Sequence, residues 1–355
     1  MREWLDAGRA GDPGRVHTEG RIARVAVENA REQVAALVGA RPREVVFTSG
    51  GTEAIHAAVW GAAQRVAPGA AGGAAMVCAA VEHSAVRDSS ARYRVVEPAV
   101  DGVGRIDVAS VTDTLDDAPA LVHVQFGNHE VGTRQPAAAV VAPCRERGVL
   151  VHVDAAAAAG NVPVDFRALD ADLMSISAHK FGGPAGAGAL VVRRGLRLDP
   201  FLVGGAQERA RRAGLENVPA IAGFGAAAEA AARDLPASAP VARTRTAAVL
   251  ASVEAIDGVI VYGDRDDRLP HIACFGVAGV ESEAVLLGLD QAGIAVHSGS
   301  ACSSETLEPS AVLEAMGVAA DRSVRVSVGW STTDADIDAF CRAFPDVIAR
   351  LRSLR

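Results

Sequence analysis

Short runs of β-branched and other apolar residues alternate with longer amphipathic or alanine-rich stretches through the first two thirds of the chain, and this alternation constrains the fold more than any other feature. Strands that each return through a helix lie parallel, so the pattern predicts an α/β fold with βα units around a mainly parallel sheet. Candidate strands are 45–47, 75–78, 121–125, 150–153, 173–175 and 189–192, with helices at 52–65, 84–93 and 137–147 between them. The stretch 233–241 (RDLPASAPV) carries two prolines and reads as a linker. It divides a large domain, 1–236, from a smaller α+β carboxy-terminal domain, 237–355. Beyond it the pattern predicts a helix at 246–256, a strand at 259–262 and a last helix after Thr333, a good N-cap with Asp334 and Asp336 in the first turn.

With half of its 355 residues apolar and 22% charged, the chain has a globular composition. A net charge of −8 gives no overall basic field, which argues against direct binding of nucleic acid or an anionic membrane. No apolar run reaches the roughly 18 residues of a membrane span, and the amino terminus lacks a signal-peptide pattern, so a cytoplasmic protein is expected. Five cysteines are scattered without a CxxC pair, which suggests neither zinc nor a redox dithiol and leaves at least one free thiol.

Among the 35 lysine and arginine residues, Lys180 is the one lysine. A guanidinium stays protonated, whereas a lysine amine can lose its proton and attack a carbonyl, so Lys180 is a candidate Schiff-base residue. Composition alone is equally consistent with a lysine that survived by chance. Asp154 ends the 150–153 strand, where open α/β sheets place ligand-contacting residues, and Lys180 follows about one βα unit later. A carboxylate and the one lysine at neighbouring strand ends suggest pyridoxal phosphate, with Asp154 pairing with the pyridinium nitrogen and Lys180 forming the imine. Ser177 and His179 flank the lysine and can donate to the phosphate.

Phe47-Thr48-Ser49-Gly50-Gly51-Thr52-Glu53 follows an apolar run and opens a helix, so backbone N–H groups and the Thr52 hydroxyl can hold a phosphate. Taken alone it reads just as well as a tight turn. No lysine follows in the P-loop position, which argues against an NTPase. The glycines of 182–188 precede a strand instead of opening a helix, which argues against a dinucleotide loop.

The motifs FTSGGTE at 47–53, EHSAV at 82–86, NHEVG at 128–132, HVDA at 152–155, SAHK at 177–180, RRAG at 211–214, SGSACSS at 298–304 and LEPS at 307–310 run in order along nearly the whole chain. Together they resemble the class V aminotransferase family and, more narrowly, the cysteine desulfurases. The resemblance implies a fold-type I pyridoxal-phosphate enzyme, homodimeric, that converts L-cysteine to L-alanine and leaves a persulfide for an acceptor. It implies that His83 stacks on the cofactor and shuttles protons, that Gly51, Thr52, Ser177 and His179 hold the phosphate, and that Arg325 with Asn128 binds substrate. It makes Cys302 the thiol that attacks the substrate sulfur, whereas Cys78 and Cys274, among apolar residues, read as core. The segment 298–308 resembles the longer loop of the branch that carries sulfur to a partner protein, such as an iron–sulfur scaffold or a tRNA-thiolation protein.

Several positions depart from the family. Ala157 replaces a glutamine that donates to the cofactor's phenolic oxygen, His129 replaces an asparagine and is expected to take over part of that role, Leu215 replaces a phosphate-binding threonine, and His56 replaces another asparagine. The chain also begins inside the family's usual span, without its opening strand. Altered activity is therefore expected, and the rival readings are another lyase or aminotransferase of the class, such as a selenocysteine or cystine lyase, or a catalytically weakened sulfur-transfer protein. The arginines Arg209, Arg211 and Arg212 read as a solvated charged turn.

Overall fold

The computed structural model describes residues 1–6, 11–66, 73–298 and 310–354. The chain forms two compact units. The first comprises Met1–Pro98, Val108–Phe126 and Pro136–Leu235, and the second Ala99–Asp107, Gly127–Gln135 and Pro236–Arg355. A single cut at residue 236 therefore misses two short excursions, 99–107 and 127–135, that the carboxy-terminal unit takes from the first half of the sequence.

The first unit is built on seven strands: β1 (Val45–Thr48), β2 (Ala75–Val77), β3 (Arg94–Val96), β4 (Leu121–Gln125), β5 (Leu150–Asp154), β6 (Leu173–Ser177) and β7 (Gly188–Val192). Their order is β1-β7-β6-β5-β4-β2-β3. The pairs β3–β2–β4–β5–β6 are all parallel, and β7 lies antiparallel to both β6 and β1. The mainly parallel sheet expected from the alternation is thus present. β4, β5, β6 and β7 are buried along their whole length, which explains their continuous apolar runs. Helix Gly51–Val66 presents Ala54, Ala58 and Ala62 to Val46, Leu121, Leu150, Leu173 and Leu190 on one sheet face. Small residues on that helix face allow close approach to the branched side chains of the strands.

β7 runs between β1 and β6, and Gly188 faces Thr48 on one side and Ser177 on the other. A Cβ at Gly188 would meet the Gly50 backbone at 2.5 Å. Only glycine lets the turn after β1 settle onto the sheet there.

The second unit holds an antiparallel sheet of β8 (Val259–Tyr262), β9 (Ile272–Val277) and β10 (Ser323–Ser327), ordered β10-β9-β8. Phe275, Val324, Leu289, Phe340 and Phe344 form its core with helices Ser282–Gln291 and Asp334–Ser353. Thr333 caps the last helix through a reciprocal capping box with Asp336.

The linker expected at 233–241 is helical instead: helix Val218–Glu254 runs through it, with Pro236 and Pro240 inside. Each proline removes one helical hydrogen bond, but the stretch is mostly exposed, so water can meet the freed carbonyls, and the alanine-rich flanks carry the helix across. Among the described residues no helix is long and apolar enough to cross a membrane.

Candidate active site

Because β1, β2, β4, β5 and β6 all point the same way, their carboxyl-terminal ends share one edge of the large sheet. That edge gathers Gly51 and Thr52 after β1, His83 after β2, Asp154 at the end of β5, and Ser177, His179 and Lys180 after β6. Sequence reasoning placed each of these at a strand end. The structure adds how each is held.

Asp154 is buried, and both of its hydrogen bonds fall on Oδ1: Ser175 Oγ donates at 2.9 Å and Ala156 N at 3.0 Å. Oδ2 takes part in neither bond. Ser175 is the register partner of Asp154 on the neighbouring strand, a pairing no single strand's pattern reveals. Lys180 lies in a short 3₁₀ turn, Ala178–Phe181, directly after β6 and is exposed. Gly182 closes that turn in the left-handed region at φ 87°.

Helix Gly51–Val66 begins at the same edge, with Gly51 against Ser177: a Cβ on Gly51 would lie 3.5 Å from that of Ser177. Ser177 Oγ and His179 Nδ1 are 2.9 Å apart. Burial, and then the charge of Lys180, hold His179 below the usual histidine range, so its ring is a neutral hydrogen-bonding group. Helix N–H groups, two hydroxyls and an imidazole are groups that can donate to an anion. Glu53, in the first turn, would repel one, but Arg212 Nε and Nη2 grip its carboxylate at 2.8 and 3.1 Å and Ser49 N donates to it at 2.8 Å. Burial works against ionised Glu53, and these donors outweigh it and hold its carboxyl below the usual range.

His83 caps helix Ser84–Ser90, its Nδ1 accepting from Ala85 N at 3.0 Å. That bond leaves the proton of the neutral ring on Nε2. His56 Nδ1 pairs with Thr52 O at 2.9 Å, Ala157 O accepts from Asn161 Nδ2 at 3.3 Å, and Leu215 is exposed.

In the second unit, Asn128 is fully buried and its Oδ1 accepts from Glu130 N and Val131 N, both at 2.8 Å, fixing the turn that carries His129. Arg325 on β10 donates Nη1 to His129 O at 3.1 Å, and its Nε is buried with no hydrogen-bond partner among the described residues. His129 Nε2 lies 3.5 Å from Glu130 Oε1. Asn128, His129 and Arg325 therefore form one cluster within this unit. Ser310 joins it, donating to Glu130 Oε2 at 2.5 Å.

Cys302 lies outside the described residues. Three of the four described cysteines, Cys78, Cys144 and Cys274, are buried, as read for Cys78 and Cys274. Burial pushes all three thiols up, Cys144 to about 12, which disfavours the reactive thiolate. Cys341 is half-buried, its Sγ 4.0 Å from Ala248 O.

The arginine turn is not simply solvated. Arg212 pairs with Glu53, Arg209 with Glu28 at 3.0 Å, and Arg211 donates to Val45 O at 3.3 Å. These partners are far away in the chain, so no local pattern signals them.

The family model for class V aminotransferases matches residues 6–340. A cysteine desulfurase of Trichormus azollae is 40% identical over 353 residues, covering 97% of this chain and 87% of that one. A cysteine desulfurase IscS 1 of Archaeoglobus fulgidus is 37% identical over 352 residues, covering 97% and 91%. Among solved structures, a NifS-like protein superposes with a TM-score of 0.90 at 28% identity, covering 98% of this chain and 94% of that one. With its aspartate and lysine at adjoining strand ends and an anion cradle beside them, the chain belongs to the class V aminotransferase family and, within it, to the cysteine desulfurases.

Proposed function

We propose that this protein is a pyridoxal-phosphate-dependent cysteine desulfurase that removes sulfur from L-cysteine, releases L-alanine and carries the sulfur as a persulfide on Cys302. The observation that supports it most is the placing of Asp154 and Lys180 at neighbouring parallel strand ends, with Asp154 Oδ2 left open by the bonds on Oδ1. The donor set fits the cofactor: an anion cradle at Gly51, Thr52, Ser177 and His179, a carboxylate for a protonated ring nitrogen, an exposed amine and a histidine over the edge. Bound there, pyridoxal phosphate supplies an electron sink for the bonds at the substrate α-carbon.

The chain's own residues do the rest. Lys180 Nζ would hold the cofactor and, as a free amine, would take the substrate α-proton. His83, with Nδ1 engaged by Ala85 N, would move protons at the site through Nε2. Arg325, fixed by His129 O, presents a fork to the substrate carboxylate, and its buried unmet Nε awaits such a partner. Asn128 supports the same turn. The Cys302 thiolate forms a bond to the substrate sulfur as the carbon–sulfur bond breaks, and protonation at carbon gives alanine. His129 substitutes in part for the donor absent at Ala157. We further infer a cytoplasmic homodimer that hands sulfur to an acceptor protein, an iron–sulfur scaffold or a tRNA-thiolation protein.

The test is alanine release from L-cysteine with pyridoxal phosphate and a thiol reductant, comparing the intact chain with Cys302→Ser. Alanine from the first and little from the second is expected. Equal release from both would replace the persulfide route with another lyase chemistry, and none from either would favour a weakened sulfur-transfer protein.

A further inference from the structure

Glu82 opens the motif Glu82-His83-Ser84-Ala85-Val86, in which the proposed chemistry uses only His83. Its residue is 1% exposed and sits in the turn after β2, at the active edge of the large sheet. Oε1 accepts the N–H of Gln125, the last residue of β4, at 2.8 Å. Gln125 is in turn the register partner of Asp154 on β5, and its side chain donates Nε2 to Val81 O at 2.8 Å. Oε2 is buried with no hydrogen-bond partner among the described residues.

An ionised carboxylate has about four lone-pair sites to satisfy, and here one N–H meets them. A bare charged oxygen in such a place is far more costly than a neutral hydroxyl. Among the described residues, the one charged side chain that acts on it is a carboxylate. Asp154 from β5 opposes ionisation, and Cys78 just after β2 is a buried thiol. Burial first, and Asp154 second, push the Glu82 carboxyl up to about 8 against the pull of the Gln125 N–H.

We propose, resting on the pyridoxal-phosphate reading, that Glu82 is a protonated carboxylic acid and a positioning residue: it ties the end of β4 beside Asp154 and leaves Asp154 the one charged carboxylate beneath the ring nitrogen. A carboxylate at both positions would put two negative charges where the cofactor offers one positive. A neutral acid keeps the hydrogen bond to Gln125 without that second charge.

The test is infrared difference spectroscopy on the full chain at neutral pH, with and without pyridoxal phosphate, using isotopically labelled glutamate and Glu82→Gln. A protonated-carboxyl band that shifts with the label, is absent from Glu82→Gln and fades as pH rises through about 8 is the expected result. A wild-type chain without that band at neutral pH overturns the proposal. Glu82→Gln, an isostere of the neutral acid, keeps the wild-type melting temperature and the absorption spectrum of bound cofactor below that pH, and loses the wild-type spectral step at it. A Gln variant that fails to fold, or one whose absorbance titration superimposes on the wild type's, overturns the proposal as well. The band is read without cofactor, so a chain that shows it but takes up no pyridoxal phosphate refutes the cofactor reading while upholding the protonated state of Glu82.

Discussion

Ser175 on β6 donates its hydroxyl to Asp154 Oδ1 on β5 at 2.9 Å, across two strands whose register sets the residues side by side. With Ala156 N on the same oxygen, the bond fixes the carboxylate's rotation and turns Oδ2 outward. Ser175→Ala leaves the strand intact and frees the carboxylate to turn. A hydrogen bond to a charged group is worth about 1.5 kcal/mol or more, so pyridoxal phosphate should bind roughly tenfold more weakly. Fluorescence titration of cofactor-free protein checks this, and unchanged affinity would detach Ser175 from the cofactor.

Glu53 and Arg212 tie the helix that begins the anion cradle to the arginine turn. Glu53 has its carboxyl held below the usual range, so this pair contributes stability at pH values above the unfolded carboxyl's titration and loses it as pH falls through the lower folded value. Arg212→Ala should cost about 2 kcal/mol at neutral pH, between an exposed and a fully buried pair, and flatten the acid limb of stability below the ordinary carboxyl range. It should also weaken phosphate binding, because a freed Glu53 charge then faces the cradle. Urea unfolding across pH, with and without inorganic phosphate, measures both effects.

Lys180 carries the one side-chain amine in the chain, so borohydride treatment in the presence of pyridoxal phosphate should add one cofactor mass, on the peptide that contains it. Lys180→Arg keeps the charge and cannot react, and it should show no side-chain label and at least about a thousandfold less alanine release. Labelled Lys180→Arg would place the attachment elsewhere.

The sheet and the strand-end residues were legible because burial on both faces writes itself as apolar runs, and Asp154 and Lys180 stand where such runs stop. What the sequence did not carry was pairing between strands and over distance. Glu208 shows the limit: it follows β7 in the chain, yet its carboxylate is buried against Arg31, with Nη1 and Nη2 each at 2.7 Å, and accepts from Phe47 N at 2.9 Å. Glu208, Arg209 and Ala210 take left-handed backbone at φ 49°, 61° and 60°, a conformation none of these residue types signals. The second unit was legible at Thr333 but not at 99–107 and 127–135, whose allegiance is set by tertiary contact alone.

The Arg31–Glu208 pair gives its own prediction. Both side chains are almost wholly buried, so Glu208→Ala takes the bidentate partner from a buried guanidinium, leaving it Glu28 and Val45 O, and removes the anchor of three strained residues. The expected loss is about 3–5 kcal/mol, whereas Glu208→Gln, which keeps the acceptor to Phe47 N, should lose less. Thermal and urea unfolding distinguish the two, and equal small losses would make the pair incidental.

His123 on β4 and His152 on β5 face each other with their Nδ1 atoms 3.0 Å apart, and Ser90 Oγ lies 3.4 Å from His123 Nε2. A hydrogen bond between the two Nδ1 atoms needs one ring to donate and the other to accept, so the two cannot both be charged. Burial holds His152 down to about 4 and His123 well below its usual range, the neighbouring ring adding to the effect on His123. Each takes up a proton on unfolding as soon as pH drops below the ordinary histidine value near 6.5, while the folded rings stay neutral. Stability should therefore fall as pH goes from about 6.5 towards 4, by up to roughly 1.4 kcal/mol per pH unit for each histidine. His123→Asn removes one such group and should flatten that slope by about half while lowering stability at pH 7, because His152 Nδ1 loses its partner. Urea midpoints at pH 7 and pH 5 decide it: a variant with the wild-type slope would place the acid sensitivity of the sheet elsewhere.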